Sequence, residues 1–237
     1  MSDIAPQKDA KDTTSRLLQE TAISLVEGIT GVAASNRSEL ILSLSYIFQK
    51  ARGGTFLKVL LKEWGKYREK GRVKDDYLNT EQHQECLQEM LEFLDRGNPD
   101  TRRFSILKAI FLGAATESIS SRDSILPQQY MSLCKTLSSG EAIVLNATFA
   151  LTERGDAAPP NSATDWLDMI AKESGLGSRE LVEIHERKLI EKNLLTDRIL
   201  GDRSGVRNGD RLRLTPLAVA ICMFIKAFDE NGDGQPK

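Results

Sequence analysis

Apolar residues recur three and four positions apart along most of the chain, the spacing that places them on one face of an α-helix. The first such stripe is Leu18, Ala22, Leu25 and Ile29, extended by Val32 and Ala33. Asn36 with Glu39 has the spacing of a capping box and opens a second helix through Leu40, Leu44, Ile47 and Ala51. Gly53-Gly54 is expected to close it, since glycine accepts the left-handed conformation that ends helices. A third helix follows with Phe56, Leu60, Trp64 and Tyr67 on one face, stopping near Gly71. Asn79 and Gln82 are expected to cap a fourth, with Leu87, Met90, Leu91 and Leu94 inward. Asn98-Pro99 starts a fifth (Phe104, Leu107, Phe111, Ala115), because proline at the first helical position loses no hydrogen bond. Pro127 opens a sixth, ending near Leu137. No strand-like alternation interrupts residues 13–137, which form a helical domain on this pattern. Residues 1–12 are polar and aperiodic, and are expected to be a disordered tail.

The last third changes character. Ser138 and Glu141 form another capping box, and the helix they open carries Ala142, Leu145 and Phe149. Arg154–Ser162 is a loop, with a Pro-Pro pair that no helix interior tolerates. Thr164 caps a helix that Gly175 closes, and Ser178 caps the next, from Arg179 to Asn193. Leu194–Leu200 and Arg211–Leu214 are expected to be short strands, joined through the turn signal Asn208-Gly209. Thr215-Pro216 then caps a last apolar helix to Phe228, and residues 229–237 are expected to be a flexible tail.

The order helix, helix, helix, strand, turn, strand, helix, with "RKLIEKNLL" running off one helix and "RLRLTPLAVAI" returning into another, resembles a winged-helix domain over residues 138–228. The Pro-rich loop stands where such domains often carry a first strand. The expected fold class is therefore mainly α: an N-terminal helical bundle, then a winged-helix-like α+β module with a two-stranded wing. The resemblance implies that Ser178–Asn193 is the recognition helix, Ser178 and Arg179 at its start reaching nucleic acid, with the wing touching backbone or minor groove. A helical domain joined to such a module is also similar in arrangement to bacterial regulators and some phage-resistance proteins.

Composition changes the picture in one respect. The formal net charge is -2, so nucleic-acid affinity must come from a local patch rather than a whole-protein field. Five arginines (Arg198, Arg203, Arg207, Arg211, Arg213) against Asp202 and Asp210 supply such a patch in the expected wing. The same charges would also serve to keep a strand edge from aggregating. The expected recognition helix is neutral: Arg179, Arg187, Lys188 and Lys192 against Glu180, Glu183, Glu186 and Glu191. In the helical domain, Lys58, Lys62, Lys66 and Lys70 make a basic ridge, and Glu81, Glu85, Glu89 and Glu92 an acidic one. Residues four apart stand one turn above another. The ridges either pair with each other, recruit an external partner, or keep both helices hydrated.

The chain offers little for catalysis. Phosphate-loop, dinucleotide and nucleophile-elbow patterns are absent. The two histidines, His83 and His185, have no second ligand pair, so no metal, cofactor or small-molecule substrate is expected. Cys86, Cys134 and Cys222 are odd in number and widely separated, which fits reduced thiols. No apolar window reaches the roughly 20 residues of a membrane span, and the N-terminus lacks an apolar signal core, so a cytoplasmic location is expected. Asp229, Asn231 and Asp233 open a calcium-loop pattern that ends before its bidentate glutamate; the Arg154 RGD and the Asn146 sequon belong to extracellular contexts. The expectation is a non-enzymatic binding protein contacting duplex DNA through its wing, with the helical domain, including its lysine ridge, for dimerisation or partner binding. The alternative is a protein-interaction component of a bacterial defence or stress assembly.

Overall fold

The computed structural model describes residues 38–78, 80–96, 99–116, 125–154, 163–196 and 213–228. The helix expected around Leu18–Ile29, the loop over 155–162 and both terminal tails lie outside them. The described chain is mainly helical and divides into two compact units, residues 1–135 and 136–237.

In the first unit the helices are α1 (Ser38–Gln49), α2 (Ala51–Glu69), the short α3 (Asp75–Leu78), α4 (Glu81–Arg96), α5 (Thr101–Ala114) and α6 (Ile125–Lys135). The most deeply set is α5, whose residues from Ile106 to Leu112 are all buried. It packs against α2, α4 and α6. Phe93, Phe111, Met90, Leu57, Leu60 and Ile110 are among the fully buried side chains. Each such side chain contributes about 1.5–3 kcal/mol relative to exposure. Lys108, the buried cation of α5, reaches the Glu63 carboxylate at 2.8 Å.

Two local expectations change here. Gly53 and Gly54 do not end a helix; α1 stops at Gln49 and both glycines lie in the first turn of α2. A Cβ on Gly53 would stand 2.8 Å from the Leu94 carbonyl oxygen, and one on Gly54 2.6 Å from that of Phe48. Close backbone approach, not a left-handed turn, is what these glycines permit. The cap of α5 is Asp100, which accepts from the Arg102 and Arg103 amides at 3.0 Å, one residue after the expected Pro99. Gly71, at φ 64°, does follow the end of α2.

The second unit is built on α7 (Ser139–Arg154), against which α8 (Ala163–Ser174), α9 (Arg179–Glu191) and α10 (Pro216–Phe228) all pack. The reciprocal capping box that opens α7 forms as expected. The Glu141 amide donates to Ser138 Oγ at 3.2 Å, and the Ser138 amide to Glu141 Oε2 at 2.9 Å. Between α8 and α9, Gly175 and Gly177 adopt φ of 70° and 66°, and Ser178 Oγ accepts the Leu181 amide at 3.3 Å.

The expected two-stranded wing must be corrected. Among the described residues there is no strand; Leu195 and Leu214 form one isolated antiparallel bridge. The Thr196 amide donates to the Arg213 carbonyl at 2.8 Å and the Thr215 amide to Leu194 at 3.1 Å. Asn193, before Leu194, has φ 56°, and Arg213, whose carbonyl takes part in the pairing, has φ 71°, both left-handed conformations outside the β region. Pro216 then starts α10 two residues after Leu214. The expected strand residues 197–200, 211 and 212 lie outside the described set.

Candidate functional site

Of the residues expected to contact nucleic acid, three are described, and all three are engaged within the protein. Arg179, at the start of α9, makes a two-pronged ion pair with Asp168 of α8, its Nη2 at 2.6 Å from Oδ2 and its Nε in contact with Oδ1. Ser178 spends its hydroxyl on the α9 cap and on Glu180, to which it donates at 2.7 Å. That hydrogen bond is the main reason the exposed Glu180 carboxyl titrates below its usual range.

Arg213 is the larger surprise. Its side chain is 6% exposed and its Nη1 lies 2.9 Å from Oε1 of Glu186, itself 1% exposed. The same oxygen accepts from Trp166 Nε1 at 2.8 Å, while Arg213 Nε and Nη2 donate to the Thr196 carbonyl at 3.0 and 2.8 Å. Glu186 occupies the inward stripe of α9 between Val182 and Leu189, where a carboxylate is stable only if paired and hydrogen-bonded. Arg213 is thus a structural clasp that fastens residue 196 to residue 213. Arg198, Arg203, Arg207 and Arg211 lie outside the described residues.

With Glu186 turned inward, the exposed charges of α9 are Arg179, Arg187 and Lys188 against Glu180, Glu183 and Glu191, and they cancel. Between them stand Leu181 and Ile184, 44% and 48% exposed and one helical turn apart. The sequence offered a signal for this pair. Val182 and Leu189 already account for the inward stripe, so apolar residues at 181 and 184 must face another way.

In the first unit the acidic ridge of α4 finds a cation on α6. Lys135 of α6 contacts Glu89 and lies 2.9 Å from Glu92. Partial burial disfavours its charge, but the hydrogen bonds to these two carboxylates outweigh that and hold its ammonium above the ordinary lysine range. Glu81 and Glu85 remain exposed. Lys58, Lys62 and Lys66 are exposed along α2, and Lys70 is exposed at its C-cap.

The remaining candidates resolve into packing. His83 is wholly buried among Trp64, Tyr77 and Phe111, with ring centroids 5.2–5.6 Å away. The His185 imidazole lies against Gly140, where a Cβ would overlap the ring. Cys86, Cys134 and Cys222 are buried free thiols, and burial pushes those of Cys86 and Cys222 up to about 12. Arg154 of the RGD is paired with Glu173, and Asn146 of the sequon lies inside α7. Among the described residues no group of three or more His, Cys, Asp or Glu side chains could hold a metal ion. No described helix is long and apolar enough to cross a membrane. No known protein family, curated protein or solved structure matches the chain.

Proposed function

We propose that this chain is a non-enzymatic binding protein whose C-terminal unit engages a protein partner, as a component of an assembly of the bacterial defence or stress kind. The observation that carries this reading is the outward face of α9. It presents Leu181 and Ile184 within a balanced ring of charges, and the arginine at its N-terminus is already held by Asp168. Phosphates would meet Glu180, Glu183 and Glu191 on that helix, so the face is ill suited to a duplex. An apolar centre with a mixed polar rim is the composition of a protein interface.

The second reading, contact with duplex nucleic acid through Arg198, Arg203, Arg207 and Arg211, is favoured by the concentration of these arginines in one short segment. One triple variant separates the two. Under the protein-partner reading, R203A/R207A/R211A leaves any affinity for mixed-sequence duplex DNA, followed by fluorescence anisotropy at low salt, unchanged. Loss of most of that affinity in the triple variant would transfer the C-terminal unit to nucleic acid.

A further inference from the structure

A different surface, on the first unit, carries an inference that is independent of how the C-terminal unit functions. Arg52, Lys58, Lys62 and Lys66 of α2 are all exposed, and none lies in an ion pair with a described residue. Several other cations of the unit are paired, Lys50 with Asp95, Arg103 with Asp100, Lys108 with Glu63, and Lys135 with Glu89 and Glu92, and the exposed Lys74 and Arg102 stand off this face. A helix turns about 100° and rises about 1.5 Å per residue. The three lysines therefore climb about 12 Å along one side of α2, and Arg52 joins them within an arc of about 120°. Glu69 is the exposed carboxylate on that arc, since Glu63 is turned to Lys108.

We infer that this face of α2 is a docking surface for the phosphate backbone of a duplex nucleic acid, bound without sequence preference. Two physical facts select that partner over an acidic protein. Protein interfaces are anchored on buried aromatic, apolar and arginine side chains and are depleted of lysine, and beside its three lysines this face offers Arg52, Thr55 and Val59, 38% exposed, with no aromatic side chain. Exposed lysine–carboxylate pairs also contribute only about 0–1 kcal/mol each. A duplex instead carries one phosphate per about 1.7 Å of axis under condensed counterions, and releasing those ions drives association with a row of lysines. Lysines act on phosphate as point charges, and the face holds no asparagine or glutamine to read base edges, so contact fixes position rather than sequence.

The test is anisotropy of a labelled mixed-sequence duplex titrated with the full chain across a salt series. The expected result is salt-dependent binding that survives R203A/R207A/R211A. K58Q/K62Q/K66Q should weaken it roughly tenfold or more at low salt and flatten the log–log salt slope by about 2.7, at about 0.9 for each phosphate no longer neutralised. K58R/K62R/K66R should retain both affinity and slope. The substituted side chains are exposed, so an unchanged urea midpoint shows that the fold is intact. No binding at low salt, an unaltered slope in the glutamine variant, or tighter capture of poly-glutamate or of anionic lipid vesicles than of the duplex would overturn the inference.

Discussion

Removing Glu186 is the sharpest perturbation that the second unit offers. Its carboxylate is the acceptor for both the Arg213 guanidinium and the Trp166 indole, at 2.9 and 2.8 Å, inside a site where neither charged partner is more than 6% exposed. E186L leaves a buried cation that still donates to the Thr196 carbonyl but has lost its carboxylate. Breaking one side of a buried ion pair costs about 3–5 kcal/mol, and an indole N–H left without its acceptor about 1–3. The lower ends of the two ranges together make about 4 kcal/mol the expected loss. For a unit of this size each kcal/mol moves the midpoint by about 4–8 °C, so its thermal transition should fall by roughly 15–30 °C. Urea unfolding followed by tryptophan emission checks the free energy directly, because Trp166 is itself a partner in the cluster. The double variant E186L/R213L should recover most of the loss, since a buried pair replaced by apolar groups is often close to neutral. A loss below about 1 kcal/mol in E186L, or a double variant no better than the single, would refute the view that Arg213 is fastened by a buried charge pair.

Other consequences follow from the same geometry. G140A should destabilise the second unit by about 1–3 kcal/mol in urea, although alanine normally favours a helix over glycine, because its methyl group overlaps His185; G140A/H185A should regain most of this. S138A should cost about 1 kcal/mol by removing the α7 cap, read the same way. Stability should fall on the alkaline side. The Cys86 and Cys222 thiols are raised to about 12 by burial, and the Tyr77 hydroxyl is raised by the same cause, so the folded chain keeps protons that the unfolded chain releases from about pH 8.5 upward. Their contribution is complete below that pH and is lost between it and about pH 12, at up to about 1.4 kcal/mol per pH unit per group. Urea midpoints at pH 7, 9 and 10 test the sign; stability that rises across this range contradicts it. A thiol reagent at pH 8 should label these two cysteines only as fast as the chain unfolds.

The helical faces and several caps were legible in the sequence because each is a local rule satisfied locally. Ser138 and Glu141 are three residues apart and complete each other, and Ser178 and Gly175 act within a turn of their own positions. What was hidden depended on distant residues. Gly53-Gly54 has the pattern of a helix end, yet its use is set by Leu94, some forty residues on, against which the backbone is pressed. The alternation of Arg211–Leu214 resembles a strand, but among the described residues Leu214 makes one isolated bridge, Arg213 is left-handed and α10 begins at Pro216. Arg213 looked like a surface cation because it stands in an arginine-rich segment, and its partner Glu186 lies 27 positions earlier. One trace of that pairing was readable, namely a glutamate at the inward position between Val182 and Leu189. The two charged ridges were visible, but which side chains would satisfy them was not, since Lys135 belongs to neither.

The most direct test of the proposed function is quantitative affinity capture on the full chain and on L181E/I184E, with each protein that the variant fails to capture re-examined in purified form. Both side chains face outward, so the variant should unfold at the same urea concentration as the wild type. The account predicts at least one protein that binds the purified wild type with fixed stoichiometry and fails to bind the variant. Identical capture by the two chains, with the variant folded, would contradict a docking role for the outward face of α9.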